Sequence, residues 1–150
     1  MFKIHLTALL VLFTGCAPAN SVRRPQLLLF HGKIEPVAEV SGRVYLEAFP
    51  RADYEGLGVG DRPELRWILH LDHPIVAQGE PGHDFLVGRI EDLRRVQLIL
   101  PEGMNQRLEP DQKVRFKGSF FVAHTAHHVT PVVMQVEAIS NTAGGTPAIQ

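Results

Sequence analysis

The strongest constraint on the fold is an alternation of apolar and polar residues with a period of two, interrupted by Gly- and Pro-bearing stretches. In Val37–Phe49, Val40, Val44, Leu46 and Ala48 fall on one side, and Ser41, Arg43, Tyr45 and Glu47 on the other. Side chains of a strand point alternately to its two faces, so this pattern marks a half-buried β-strand. The pattern recurs at residues 65–71, where Leu65, Trp67, Leu69 and Leu71 alternate with Arg66, Ile68 and His70. It recurs at 95–100, with Val96, Leu98 and Leu100 inward, and at Lys113–Val122, with Val114, Phe116, Phe120 and Val122 inward. The last example is 132–139, with Val132, Met134, Val136 and Ala138 inward. Trp67, the single tryptophan, is expected in the core. Asp72, His73 and Pro74 are expected to close the second strand, because proline cannot extend a ladder.

Gly42 and Gly118 sit on the inward faces of two strands, where glycine permits the bends a small barrel needs. Between the third and fourth strands there is room for a helical turn near residues 104–108. Five strands with this spacing resemble an oligonucleotide/oligosaccharide-binding (OB) barrel, with a small open β-sandwich as the alternative. The barrel domain is expected over residues 37–140 and a disordered tail over 141–150. Residues 27–30 form a short apolar run within the expected tether, 16–36; covering part of the core is favoured there over pairing as a strand. Residues 50–63 are loop, and their Asp53, Tyr54 and Asp61 are a candidate ligand-binding group, with plain solvated turn residues as the simpler reading.

The first 15 residues hold Lys3, a short apolar run from Leu6 to Phe13, and then small residues. That is the layout of a secretory signal peptide, and the run is far shorter than the ~20 apolar residues of a membrane-spanning helix. The segment ending Thr14-Gly15-Cys16 resembles the lipobox of bacterial lipoproteins. The resemblance implies removal of residues 1–15 and acylation of Cys16, which is the chain's only cysteine. Ala17 rather than aspartate follows it, which favours the outer membrane, facing the periplasm. A net charge of -1 and an exported address argue against nucleic acid as a partner.

The densest chemistry lies at residues 123–132, AHTAHHVTPV, with His124, His127 and His128. Neutral imidazole is a common ligand for zinc and copper, and a zinc centre needs three or four converging ligands. In one helical turn His124 and His127 would converge; in an extended loop His124 and His128 would share a face. A third ligand would come from His70, Asp72 or His73. The competing reading is structural: the rings lock a hairpin through main-chain carbonyls and the hydroxyls of Thr125 and Thr130. No nucleophile has a partner, since Ser119 is strand-bound and Cys16 acylated, so the chain is expected not to be an enzyme. A metal-dependent hydrolase has only the histidines in its favour.

This histidine segment is similar to the signature of the family catalogued as domain of unknown function 4431. Residues 66–75, RWILHLDHPI, fit that family's strand ending in LD-x-PI, and the resemblance extends over most of residues 40–139. Ala126 stands where glycine is common in the family, and Val129 where a third consecutive histidine is common. The resemblance implies no activity. The expected function is a lipid-anchored envelope binding or accessory module for a protein or glycan partner. A periplasmic metal-binding protein, with zinc or copper as cofactor, is the alternative.

Overall fold

The computed structural model describes residues 25–50, 63–82, 86 and 88–141. Cys16, Asp53, Tyr54 and Asp61 lie outside them, as do the expected signal peptide and most of the expected tail. Among the described residues six strands form: β1 (Gln26–Phe30), β2 (Val37–Phe49), β3 (Glu64–Gly79), β4 (Arg89–Ile99), β5 (Lys113–Val122) and β6 (Val132–Asn141). A single 3₁₀ turn, Met104–Arg107, precedes β5, where a helical turn is expected.

The sheet order is β1-β3-β2-β5-β6-β4, and β4 also pairs with β3. Five strands therefore close into a ring, and β1 is added at one edge. All ladders of the ring are antiparallel except β4–β6. This is the small, partly open, OB-like barrel that the alternation predicts. Its interior holds Phe30, Val44, Leu69, Val96, Val114, Phe116, Phe120, Val132 and Met134, all fully buried.

The curvature depends on missing side chains. A Cβ on Gly42 would overlap the carbonyl oxygen of His70, and one on Gly118 would overlap that of Gln135. Both glycines mark places where neighbouring backbones approach closely enough to bend the sheet.

Several elements depart from the period-two reading. The expected five strands become six because residues 26–30 pair in parallel with Ile75 to Gly79, burying Leu28 and Phe30. The folded unit thus starts before residue 37. Strand β3 does not stop at Pro74. Its pairing with β4 skips from His70 to Ile75, and its pairing with β2 ends at Leu71, so Pro74 lies where no ladder bond is lost. Strand β4 starts six residues earlier than expected. Irregular register at Ile75 to Ala77, with Asp92 at φ 55, breaks the alternation there.

In β6 a register shift opposite Lys117 and Gly118 turns Ala138 outward and brings Ile139 against the core. Leu46, Ala48 and Leu65 have the expected parity but are exposed. The β2–β3 ladder runs out to Phe49 and Glu64, beyond the reach of β5, which pairs with β2 only as far as Arg43. Trp67 is half-buried against the core edge rather than enclosed.

Candidate functional site

Parity also fails informatively in the middle of the sheet. Ile68 and Val133 occupy outward positions, yet both are fully buried. Register explains why: Ile68 pairs with Gln97, Gln97 with Val133, and Val133 with Phe121, making one row across β3, β4, β6 and β5. The loop joining β5 to β6, residues 123–131, is tied to this outer row.

Gln97 fastens it. Its side chain is almost wholly buried, its Oε1 accepts from the Val129 N–H at 2.7 Å, and its Nε2 donates to the His127 carbonyl at 3.4 Å. The Gln97 backbone N–H donates to Thr130 Oγ1 at 2.8 Å, and that hydroxyl donates to the Val132 carbonyl at 2.7 Å. The loop closes through Ala123 N–H to the Pro131 carbonyl at 3.0 Å and turns through His128 N–H to the Thr125 carbonyl at 3.1 Å.

The turn brings His124 and His128 together and leaves His127 apart. The two rings meet edge to face at 5.0 Å between centroids, and each packs on Phe121, at 5.7 and 5.3 Å. His124 Nδ1 donates to the Val122 carbonyl at 3.1 Å, while His128 Nδ1 accepts the His124 backbone N–H at 3.3 Å. Both rings are therefore engaged with main chain, His124 with a carbonyl and His128 with an N–H. His127 reaches out instead, 3.8 Å from Glu64 Oε2.

Among the described residues no group of three or more His, Cys, Asp or Glu side chains is placed to hold a metal ion. The three further candidate ligands lie elsewhere. His70 Nε2 donates to Glu47 Oε1 at 2.7 Å, and Asp72 accepts from Ser41 Oγ at 2.9 Å and faces Lys113 at 3.5 Å. His73 is exposed and borders a small groove with Gln26 and Arg115.

His70 belongs to a charged and aromatic row that the sequence reading did not assemble. Glu47 takes His70 on one carboxylate oxygen and Arg95 on the other. The Tyr45 ring lies 4.6 Å from that of His70, and its hydroxyl donates to Asp111 Oδ1 at 2.6 Å. Arg43 closes on the same aspartate at 3.2 Å. The hydrogen bond to Asp111 raises the Tyr45 hydroxyl above its ordinary range, and the same bond, aided by Arg43, holds Asp111 below the usual carboxylate range.

Arg66 stands opposite Glu47 in the β2–β3 ladder and pairs with Glu64, which lies 3.8 Å from His127. Its Nε is buried without an acceptor among the described residues. Beyond Arg66 opens a groove of about 700 Å³ lined by Leu46, Leu65, Trp67, Leu100, Asn105 and Gln106. One signal for the covered row was present in the sequence: apolar residues at outward positions in three strands, Ile68, Phe121 and Val133. Glu47 and Arg95 carried no such signal, because charged outward residues are the norm.

Burial lowers the pKa of His128 below the usual 6.5, and the neighbouring His124, His127 and Arg66 lower it further. Folding thus favours the neutral ring. Its contribution to stability is present above the unfolded value near 6.5 and is lost as pH falls through the depressed folded value. Acidification below pH 6.5 should therefore destabilise the domain. His128→Gln should flatten that part of the pH–Tm curve; an unchanged slope would assign the acid sensitivity to other groups.

The fold and site together define an OB-like barrel whose β5–β6 loop is clamped to the outer face of β4. Within that class, residues 95–140 match the family model described as Domain of unknown function (DUF4431). The match covers Arg95, Gln97, β5, the histidine loop and β6 to Ser140; residues 66–75 lie outside it. No curated protein matches the chain.

Proposed function

We propose that this chain is a lipid-anchored, non-enzymatic binding module of the bacterial envelope. In this reading the outer face of β2, β3 and β4, flanked by the histidine loop, meets an envelope protein or glycan. The observation that carries it is the clamp. Gln97 and Thr130 hold a polar loop beside a surface row of half-buried Tyr45 and Glu47 and exposed His70 and Arg95.

Rigid presentation lowers the entropy lost on binding. Exposed ion pairs contribute only about 0–1 kcal/mol to folding, so stability alone is a weak reason for such a row. By analogy of fold, OB barrels bind ligands on their second and third strands and on two loops. Those correspond here to β3, β4, residues 50–63 and the histidine loop. The N-terminal lipobox pattern supplies the address, outer membrane facing the periplasm, and no described helix is long and apolar enough to cross a membrane.

Photo-crosslinking in intact cells from position 127, against position 137 on β6 as control, tests this. The expected result is an adduct from 127 alone. Arg95→Glu should reduce its yield about tenfold, as for an interface contact worth roughly 1–2 kcal/mol, while Tm stays within a few degrees. No adduct from the loop, or equal yield with Arg95→Glu, would overturn the reading.

Metal binding is the second reading, favoured only by the adjacent rings of His124 and His128. They supply two imidazoles where a zinc centre takes three or four ligands. Stoichiometric metal in untagged protein, lost in His124→Ala and His128→Ala, would establish it.

A further inference from the structure

Six large apolar side chains are exposed among the described residues, and four of them lie within eleven consecutive positions: Leu27 at 47%, Leu29 at 43%, Ile34 at 68% and Val37 at 57%. Leu27 and Leu29 share the outward face of β1, whose inward face is the buried Leu28 and Phe30. Among the described residues strand β1 ends the sheet, with β3 on one side and no further described strand on the other. Charge or proline commonly blunts such an edge, and its sequence QLLLF contains neither. Ile34 follows in the turn bridged by His31 and Ile34, beside exposed Lys33, and Val37 opens β2.

This patch is also the first described part of the chain after Cys16. Only the ten residues 17–26 separate Cys16 from Leu27. Whatever their path, the eleven steps between the two span at most about 40 Å, little more than the diameter of a domain this size.

We infer that β1 and the turn after it form a membrane-contacting edge, with Leu27, Leu29, Ile34 and Val37 seated in the interfacial region of the phospholipid surface that carries the anchor. This rests on the lipid-anchored reading above. Four side chains make a weak patch, but an anchor within about 40 Å of chain turns their insertion into an intramolecular event at high effective concentration. Exposed Lys33 adds charge that suits anionic headgroups. Glu35 opposes it, which keeps the patch dependent on the anchor.

The edge also orients the molecule. Strand β1 pairs with residues 75–79 at one end of β3, whereas the groove beside Leu65 and Trp67 lies at the other. That groove is then held away from the bilayer.

The test uses the acylated protein in vesicles of phosphatidylethanolamine and phosphatidylglycerol. Acylated Cys16 has no thiol to label, so a fluorophore can be placed through Leu29→Cys or, on the exposed 3₁₀ turn at the far end, Gln106→Cys. Brominated lipid should quench the probe at 29 at least about twofold more than at 106, given insertion 5–10 Å into the interface. Equal quenching, or none at either position while the protein stays with the vesicles, overturns the membrane edge and leaves the anchor standing. Recovery of the wild-type protein in the soluble periplasmic fraction, unchanged by Cys16→Ser, overturns the anchor, and the edge with it.

Discussion

Gly118→Ala is expected to cost the domain about 3 kcal/mol or more, toward the upper end for overpacking, and roughly 10–20 °C in Tm. The added methyl would meet the Gln135 carbonyl and crowd the terminal methyl of Met134. The carbonyl belongs to a neighbouring strand, so relief means opening the β5–β6 ladder rather than rotating a side chain. The ladder is already irregular between Lys117 and Gly118, which leaves little slack. Gly42→Ala should behave alike, since its methyl would strike the His70 carbonyl and loosen β2 from β3. Ser119→Ala is the control, half-buried one residue away, and should stay within about 0.5 kcal/mol. Chemical denaturation checks all three; a Gly118→Ala protein as stable as Ser119→Ala would show that the sheet curves without needing the glycine.

Thr130→Val carries the second large effect, about 2–3 kcal/mol. Valine keeps the shape of threonine but removes a hydroxyl that accepts from Gln97 N–H and donates to the Val132 carbonyl, both in buried surroundings. Two main-chain groups on different strands lose this partner together. Thr130→Ser keeps both bonds and gives up one methyl, about 0.8 kcal/mol. Denaturation midpoints together with amide exchange at Gln97 and Val129 separate the variants. Faster exchange is expected in Thr130→Val and near-normal exchange in Thr130→Ser. Equal stability in the two would mean that the loop is held without the threonine, and the clamp would then reduce to Gln97.

Both variants probe features with different legibility. Gly118 was readable because a glycine on the apolar face of an otherwise regular strand has few explanations other than curvature. The clamp was not. Gln97 lies between Val96 and Leu98 and reads as an ordinary outward residue of a half-buried strand. Its burial follows from a loop some thirty residues later folding across it. Trp67 and Leu65 show the reverse error: their parity pointed inward, but the hairpin outruns the strands that would have covered it.

The histidines divide in the same way. Their presence and spacing were plain, but the pairing of His124 with His128 was expected of an extended loop and arises instead in a turn closed from His128 N–H to the Thr125 carbonyl. Which outcome holds depends on the Thr125–His128 turn. His70, a candidate metal ligand from sequence, instead serves Glu47, because β2 and β4 flank β3 and bring Glu47 and Arg95 to it.

Local chemistry thus determined the centres of five strands, where the sheet can bend and which side of those centres faces the core. Alternation and glycine placement act within a few residues and survive any arrangement of the rest. Tertiary structure decided which outward residues are covered, which imidazoles meet and which charges pair. Those outcomes depend on register and on bulges at Pro74, Asp92 and Gly118. A shift of one residue in a ladder exchanges every partner beyond it, and the sequence of either strand alone does not record that shift.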